Sequence, residues 1–410
     1  MIRTVRRKTA VLGTAALAAA TALASFVLVN QSAGAETAAP GDASAASDVS
    51  AASDVSAASD VSAASDVSAA QSCGGGDAIV TGSQSSGFTS TYHGQTVYQG
   101  EYYITAIWEA IGALDPNRGS QERVSVMASG WIGDDNTIDL PSHTAFEVCG
   151  TLDTGYAAGK GAVQAIGVSD VSVPYMNMTG APYFGMRFAD VHGLHLGDID
   201  MYLSGGLGIR FERDMPGSTD VTMDDIYVEG AGSHAVETWN IDGFDIGRVT
   251  ARDVGESGLL IQNSTDGWVG TVDGDNVGSG TGYATFRMAN NNGQESDGGY
   301  DTNIWVDNVI SRGGGRGVFC VSQSGGVVIE HVDLANNGNN SILIENCYNV
   351  SIRSGTVNGG GEVRVAARDE FPNTRDVWIY LEVNNTSVRE SPCGENVNWD
   401  ISGNASLDIC

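Results

Sequence analysis

Gly185-Met186-Arg187-Phe188, Gly208-Ile209-Arg210-Phe211, Ala235-Val236-Glu237-Thr238 and Gly258-Leu259-Leu260-Ile261 decide the fold. Each runs small residue, apolar, free, apolar, free. The pattern begins at Ala162-Val163-Gln164-Ala165 and returns at Tyr283-Ala284-Thr285-Phe286, Gly317-Val318-Phe319-Cys320 and Ser341-Ile342-Leu343-Ile344. Gly361-Glu362-Val363-Arg364 repeats it one residue out of step. Successive starts lie about 20 to 27 residues apart, with one interval of roughly 34. Period-two alternation at that spacing predicts short strands stacked as the coils of a solenoid.

Each coil also carries a second apolar stretch, such as Leu194-His195-Leu196, Phe244-Asp245-Ile246 and Val327-Val328-Ile329. A third often follows, as in Ile199-Asp200-Met201 and Val332-Asp333-Leu334. Three strands per coil need corners of positive φ, which the 55 glycines and runs such as Asn336-Asn337-Gly338-Asn339-Asn340 supply. Asn290–Thr302 lengthens one coil with polar residues and glycines, as segments that wall a groove do. Ahead of the coils, Ile104, Ile107, Trp108, Ile111 and Leu114 recur near helical spacing until Asp115-Pro116-Asn117 stops them. That run predicts a short helix capping the solenoid's N-terminal end. Arg123–Met127 reads as a strand, and Ile138–Phe146 as the first coil.

Residues 1–35 read as an export signal: Arg3, Arg6, Arg7 and Lys8 precede an apolar run from Ala10 to Val29, and Ala33-Gly34-Ala35 offers a cleavage site. The Arg6-Arg7 pair leaves both the twin-arginine and the general secretory route open. Residues 36–72 contain Ala-Ala-Ser-Asp-Val-Ser four times over, a composition too polar to bury a core, so a disordered spacer is expected. Residues 73–410 form the expected β-helix domain. The chain is therefore expected outside the cell, with no membrane span in its mature form. A formal charge of −30, and one lysine (Lys160) beyond the signal, exclude nucleic acid as a natural partner. Six cysteines in an exported chain point to disulfides, with 15 connectivities open. Pairing Cys73 with Cys149 would tie the N-terminal cap, Cys320 with Cys347 would staple coils, and Cys393 with Cys410 would pin the tail. No spacing suggests zinc, and the chain is expected to fold as a monomer.

Counting the small residue of each restart as position 1, positions 3 and 5 face solvent. Position 3 reads Gln164, Arg187, Arg210, Glu237, Leu260, Thr285, Phe319 and Leu343; position 5 includes Glu212, Trp239, Gln262 and Arg287. One surface thus gathers Arg187, Arg210, Arg287, Glu212, Glu237 and Trp239, with Asp190, Arg213, Asp214 and His234 at its margins. Guanidinium groups recognise carboxylates in two-point fashion, and an exposed indole supports a sugar ring. Two neighbouring glutamates are the equipment for acid/base cleavage of a glycosidic bond. The bland alternative is a salt-bridge ladder that keeps a solvent-facing sheet soluble.

The coil pattern, with a helix and strand leading into Ile138-Asp139-Leu140-Pro141-Ser142-His143, resembles the secreted right-handed parallel β-helix proteins of the pectin-lyase-like superfamily. The late stretches Gly317–Asp333 and Glu362–Arg368 look like its actinomycete and fungal members. The signature blocks of polygalacturonases and of the main pectate lyases are missing, so no catalytic residue transfers by motif. The resemblance implies a polysaccharide ligand. The leading expectation is hydrolysis of an acidic, uronate-containing polysaccharide, with Glu212 and Glu237 as acid and base. Arg187, Arg210, Arg287, Trp239 and His234 would bind substrate. A lyase performing β-elimination is the alternative, and only that chemistry would bring Ca²⁺; no other cofactor or metal is implied. A non-catalytic glycan- or wall-binding β-helix is the third reading.

Overall fold

The computed structural model describes residues 73–278, 280 and 282–410. The expected export signal (1–35) and spacer (36–72) lie outside the described residues. What is described is a parallel β-solenoid of about 12 turns.

Three strand ladders make up the coils. Inward on the first, in register, lie Val163, Met186, Ile209, Val236, Leu259, Phe286, Val318, Ile342, Val363 and Val388. Val171, Leu194, Val221 and Phe244 continue the core on the second, and Met176, Ile199, Ile226, Val249 and Val272 on the third. All are buried, so each coil adds a layer to one continuous apolar column. The corners are turned by left-handed residues such as Asp190, Asn240 and Asn263, where Asn and Asp tolerate positive φ.

The small residue opening each restart has a steric cause. It sits at a corner against the last inward residue of the third ladder. A Cβ on Gly185 would lie 3.1 Å from the sulfurs of Met178 and Met201, and one on Gly317 would lie 2.8 Å from Leu334 Cδ2. One coil inverts the arrangement: its opener is Thr285 and the facing residue is Gly274, where a Cβ would fall 2.5 Å from Thr285 Oγ1. Thr285 is fully buried and its hydroxyl lies 2.6 Å from that of Ser311.

That coil corrects the expected frame. The restart is Thr285-Phe286-Arg287-Met288, two residues later than the sequence pattern suggested. Thr285 does not face solvent, and Arg287 leaves position 5 for the position-3 row, between Leu260 and Phe319. A slip of two keeps every side chain on its face, so alternation alone could not detect it; the size match with Gly274 sets the frame.

The N-terminal end is more elaborate than expected. Ala78–Ser83, Gly87–Tyr92 and Gln95–Gly100 form an antiparallel meander, and Ala78–Ser83 continues in parallel onto Glu122–Val126. Glu122–Val126 and Gly130–Trp131 pair with Thr144–Thr154, so the coils begin one turn before Ile138. The capping helix spans Tyr103–Gly112 and buries Tyr103, Ile104, Ala106, Ile107 and Ala110. Trp108, expected on that buried face, is exposed instead and donates its indole N–H to the Thr137 carbonyl at 2.9 Å.

Disulfides join Cys73 to Cys149, Cys320 to Cys347 and Cys393 to Cys410. Among the described residues no helix is long and apolar enough to cross a membrane.

Candidate functional site

Register places Arg187 beside Arg210, Arg210 beside Glu237, Glu237 beside Leu260 and Leu260 beside Arg287 on consecutive coils. These outward residues of the first ladder form one continuous row, the candidate groove of this face. Leu260, Phe319 and Leu343 point outward yet are buried, packed with Ala284, Ala289, Val321 and Ala366 into a second apolar cluster. Segments flanking the ladder therefore wall its outward face.

Glu237 is the centre of the site and is 7% exposed. Its carboxylate accepts from Arg210 Nη1, from the Trp239 indole N–H at 2.9 Å and from Gln262 Nε2 at 2.9 Å. Gln262 is held in turn by Asn290 Nδ2, 2.6 Å from its Oε1, so the long Asn290–Thr302 excursion braces the site from one side. Burial alone would raise the Glu237 carboxyl. The charges of His234 and Arg210, with hydrogen bonds from Trp239 and Arg210, reverse that and hold it below the usual carboxylate range. Burial pushes the His234 imidazole below its ordinary value, against the pull of Glu237 and Glu256.

His234 was expected at the margin and instead lies in the wall. Its Nδ1 accepts the Ser257 backbone N–H at 3.0 Å, which assigns the ring proton to Nε2. That N–H points at Glu256, 3.0 Å away, and lies 3.9 Å from Glu237. Tyr283 also hydrogen-bonds Glu256, which raises the phenol, and packs edge-on against His234 at 5.9 Å.

Glu212 is half-buried and doubly paired, with Arg187 Nε at 2.7 Å and Arg210 Nη2 at 3.6 Å. Arg210 thus bridges Glu212 and Glu237. The two glutamates expected to flank a scissile bond have a guanidinium between them. Trp239 is half-buried, and Arg213 lies over its ring at 5.7 Å, so its face is partly occupied. Arg213 pairs with the exposed Asp214, while Asp190 pairs with His192 rather than with the groove. Arg287 lies 5.3 Å from the Phe319 ring, and burial lowers its guanidinium. Its Nε, like that of Arg210, is buried without an acceptor among the described residues.

At the N-terminal end of the groove a cavity of about 370 Å³ is lined by Tyr156, Tyr183, Phe184 and Ser233. The rings of Tyr156 and Tyr183 meet edge-on at 5.6 Å, and Arg210 lies 5.8 Å from the Phe184 ring. An aromatic wall beside arginines suits a ligand that has both ring faces and acidic groups. Glu256, Tyr283, Tyr156 and Tyr183 were not foreseen, because they lie on connections between the third and first ladders, where strand alternation says nothing.

Comparison with protein-family models, with curated proteins and with solved structures gave no match.

Proposed function

We propose that this chain is an exported, pectin-lyase-like enzyme that cleaves glycosidic bonds in a uronate-containing polysaccharide bound along the first-ladder groove. The observation that carries this reading is Glu237, a buried carboxylate held below the usual range by His234, Arg210 and Trp239, on a face that also presents Arg187 and Arg287. A desolvated, ionised carboxylate is equipped to activate water against a sugar carbon. Glu212 is the acid in this proposal. A uronate carboxylate competes with it for Arg187 and Arg210, and a Glu212 displaced from those guanidiniums is available to carry the proton the leaving oxygen needs.

One observation favours β-elimination as a second reading: in the free protein both glutamates are arginine-bound. In that chemistry the arginines neutralise the uronate and no protonated carboxylate is required.

The test is product formation by the full chain on polygalacturonate, rhamnogalacturonan, alginate and glucuronan, with and without calcium. New reducing ends without unsaturated-uronate absorbance are expected, together with a fall of about 10²–10⁴-fold in turnover for Glu237→Gln. Both signals rising together replaces hydrolysis with elimination. Binding without either product makes the chain a glycan-binding module.

A further inference from the structure

Further along the same face, a cavity of about 540 Å³ is lined by Arg316, Asn340, Glu345, Glu362, Arg364 and Thr386, among others. Register counts five strands from Glu237 to Arg364, through Leu260, Arg287, Phe319 and Leu343. At one strand spacing each, that is about 24 Å.

Arg316 is the unusual member. It sits on the connection into its coil and is 6% exposed, yet among the described residues no carboxylate pairs with it. Its Nε donates to the neutral Asn340 Oδ1 at 3.1 Å, its guanidinium carbon lies 4.5 Å from the centroid of the Phe319 ring, and its Nη1 has no acceptor among the described residues. Burial lowers its pKa to about 10, which leaves it cationic at neutral pH. Leaving a buried N–H unmade is costly, and a buried cation normally has a partner. The nearby acids are engaged elsewhere: Glu345 by Arg368 at 2.8 Å, Glu362 by Arg364 at 3.4 Å. Arg364 Nε is likewise buried and without an acceptor among the described residues.

We propose that this cavity is a distal subsite for one carboxylate-bearing sugar residue, with Arg316 and Arg364 gripping the carboxylate and Glu345 and Glu362 accepting from ring hydroxyls. Two acids line the same cavity, Glu362 beside Arg364 itself, and they repel a second anionic group, so the cavity takes one acid and its hydroxyls rather than a polyanionic cluster. The proposal rests on reading this face as a uronate groove, but not on which reaction occurs there. A chain must span about 24 Å to use both sites, so the subsite rewards length.

Calorimetric titration of the full chain with tri-, hexa- and octagalacturonate tests it, alongside neutral galactan oligomers. The variants are Arg316→Gln, the half-exposed Arg364→Gln, which keeps the test open if Arg316→Gln misfolds, and Arg210→Gln. Expected is octamer affinity reduced at least about 10-fold by Arg316→Gln and Arg364→Gln, with trimer affinity unchanged, while Arg210→Gln weakens every length. Octamer binding unaltered in folded Arg316→Gln and Arg364→Gln overturns the subsite and leaves the central groove standing. Wild-type protein that binds no uronate oligomer overturns both.

Discussion

The outward faces of the first and third ladders are built from the same kinds of residue and differ in what covers them. On the third ladder Asp198 stands beside Asp225, Asp200 beside Tyr227, and Arg248 and Arg252 pair with Asp273 at 2.6 and 3.0 Å. On the first, Arg187, Arg210, Glu212 and Glu237 make a comparable chain of ion pairs. Asp198 and Asp225 are exposed, whereas Glu237 is buried with Leu260 and Phe319 beyond it. Strand alternation puts charges on both faces, and the connections decide which of them lose water. Removal of water makes an ion pair consequential.

The sharpest break of that contrast is to delete one arginine from each face. Arg210→Gln leaves Glu237 buried without its cation and is expected to cost about 3 kcal/mol of stability. Arg248→Gln, with its side chain 42% exposed, is expected to cost less than about 1 kcal/mol. Urea unfolding of the two variants measures both. Equal losses would mean that the first-ladder face is as wet as the third.

Acid titration separates the faces by sign. His234 is depressed below its ordinary 6.5, so the unfolded chain binds its proton first and stability is lost as the pH falls below about 6.5. Glu237 is depressed below 4.5, and its contribution is lost at lower pH still, as the medium passes its folded pKa. Melting temperature should therefore fall between about pH 7 and pH 5 in the parent, and fall less steeply in His234→Gln. Parallel curves for parent and variant would remove His234 from the account.

Much of this was legible in the sequence, and the limits have physical causes. Gln164, Arg187, Arg210 and Glu237 were read onto one row, because inward neighbours such as Met186, Ile209 and Val236 are unambiguous. The sequence pattern puts Arg287 on the right face but the wrong row, since Tyr283-Ala284-Thr285-Phe286 and Thr285-Phe286-Arg287-Met288 satisfy the same alternation. Only the partner of Thr285, Gly274, separates them, and it lies on another ladder. Glu256, Tyr283 and Arg316 belong to connections whose path depends on three-dimensional packing. His234 could be seen as near the groove but not as buried, because burial there comes from neighbours on other coils.

The smallest expected effect lies on the third face, where it tests the comparison from the other side. Partial burial and the adjoining Asp198 raise Asp200 above its ordinary 3.8; Asp225, though exposed at the surface, is raised by partial desolvation, which Arg248 opposes and Asp198 and Asp200 reinforce. A carboxyl raised on folding favours the native state below its unfolded value and loses that contribution as the pH climbs through the folded value. At neutral pH each is a mild liability. Asp200→Asn should therefore stabilise the protein at pH 7 by less than about 1 kcal/mol, with the gain disappearing below about pH 3.8. Glu237→Gln, made on the face where arginine supplies the missing solvation, should instead lower the melting temperature at pH 7. If both substitutions move it in the same direction, acidic crowding on the third ladder and arginine compensation on the first are not what distinguishes the two faces.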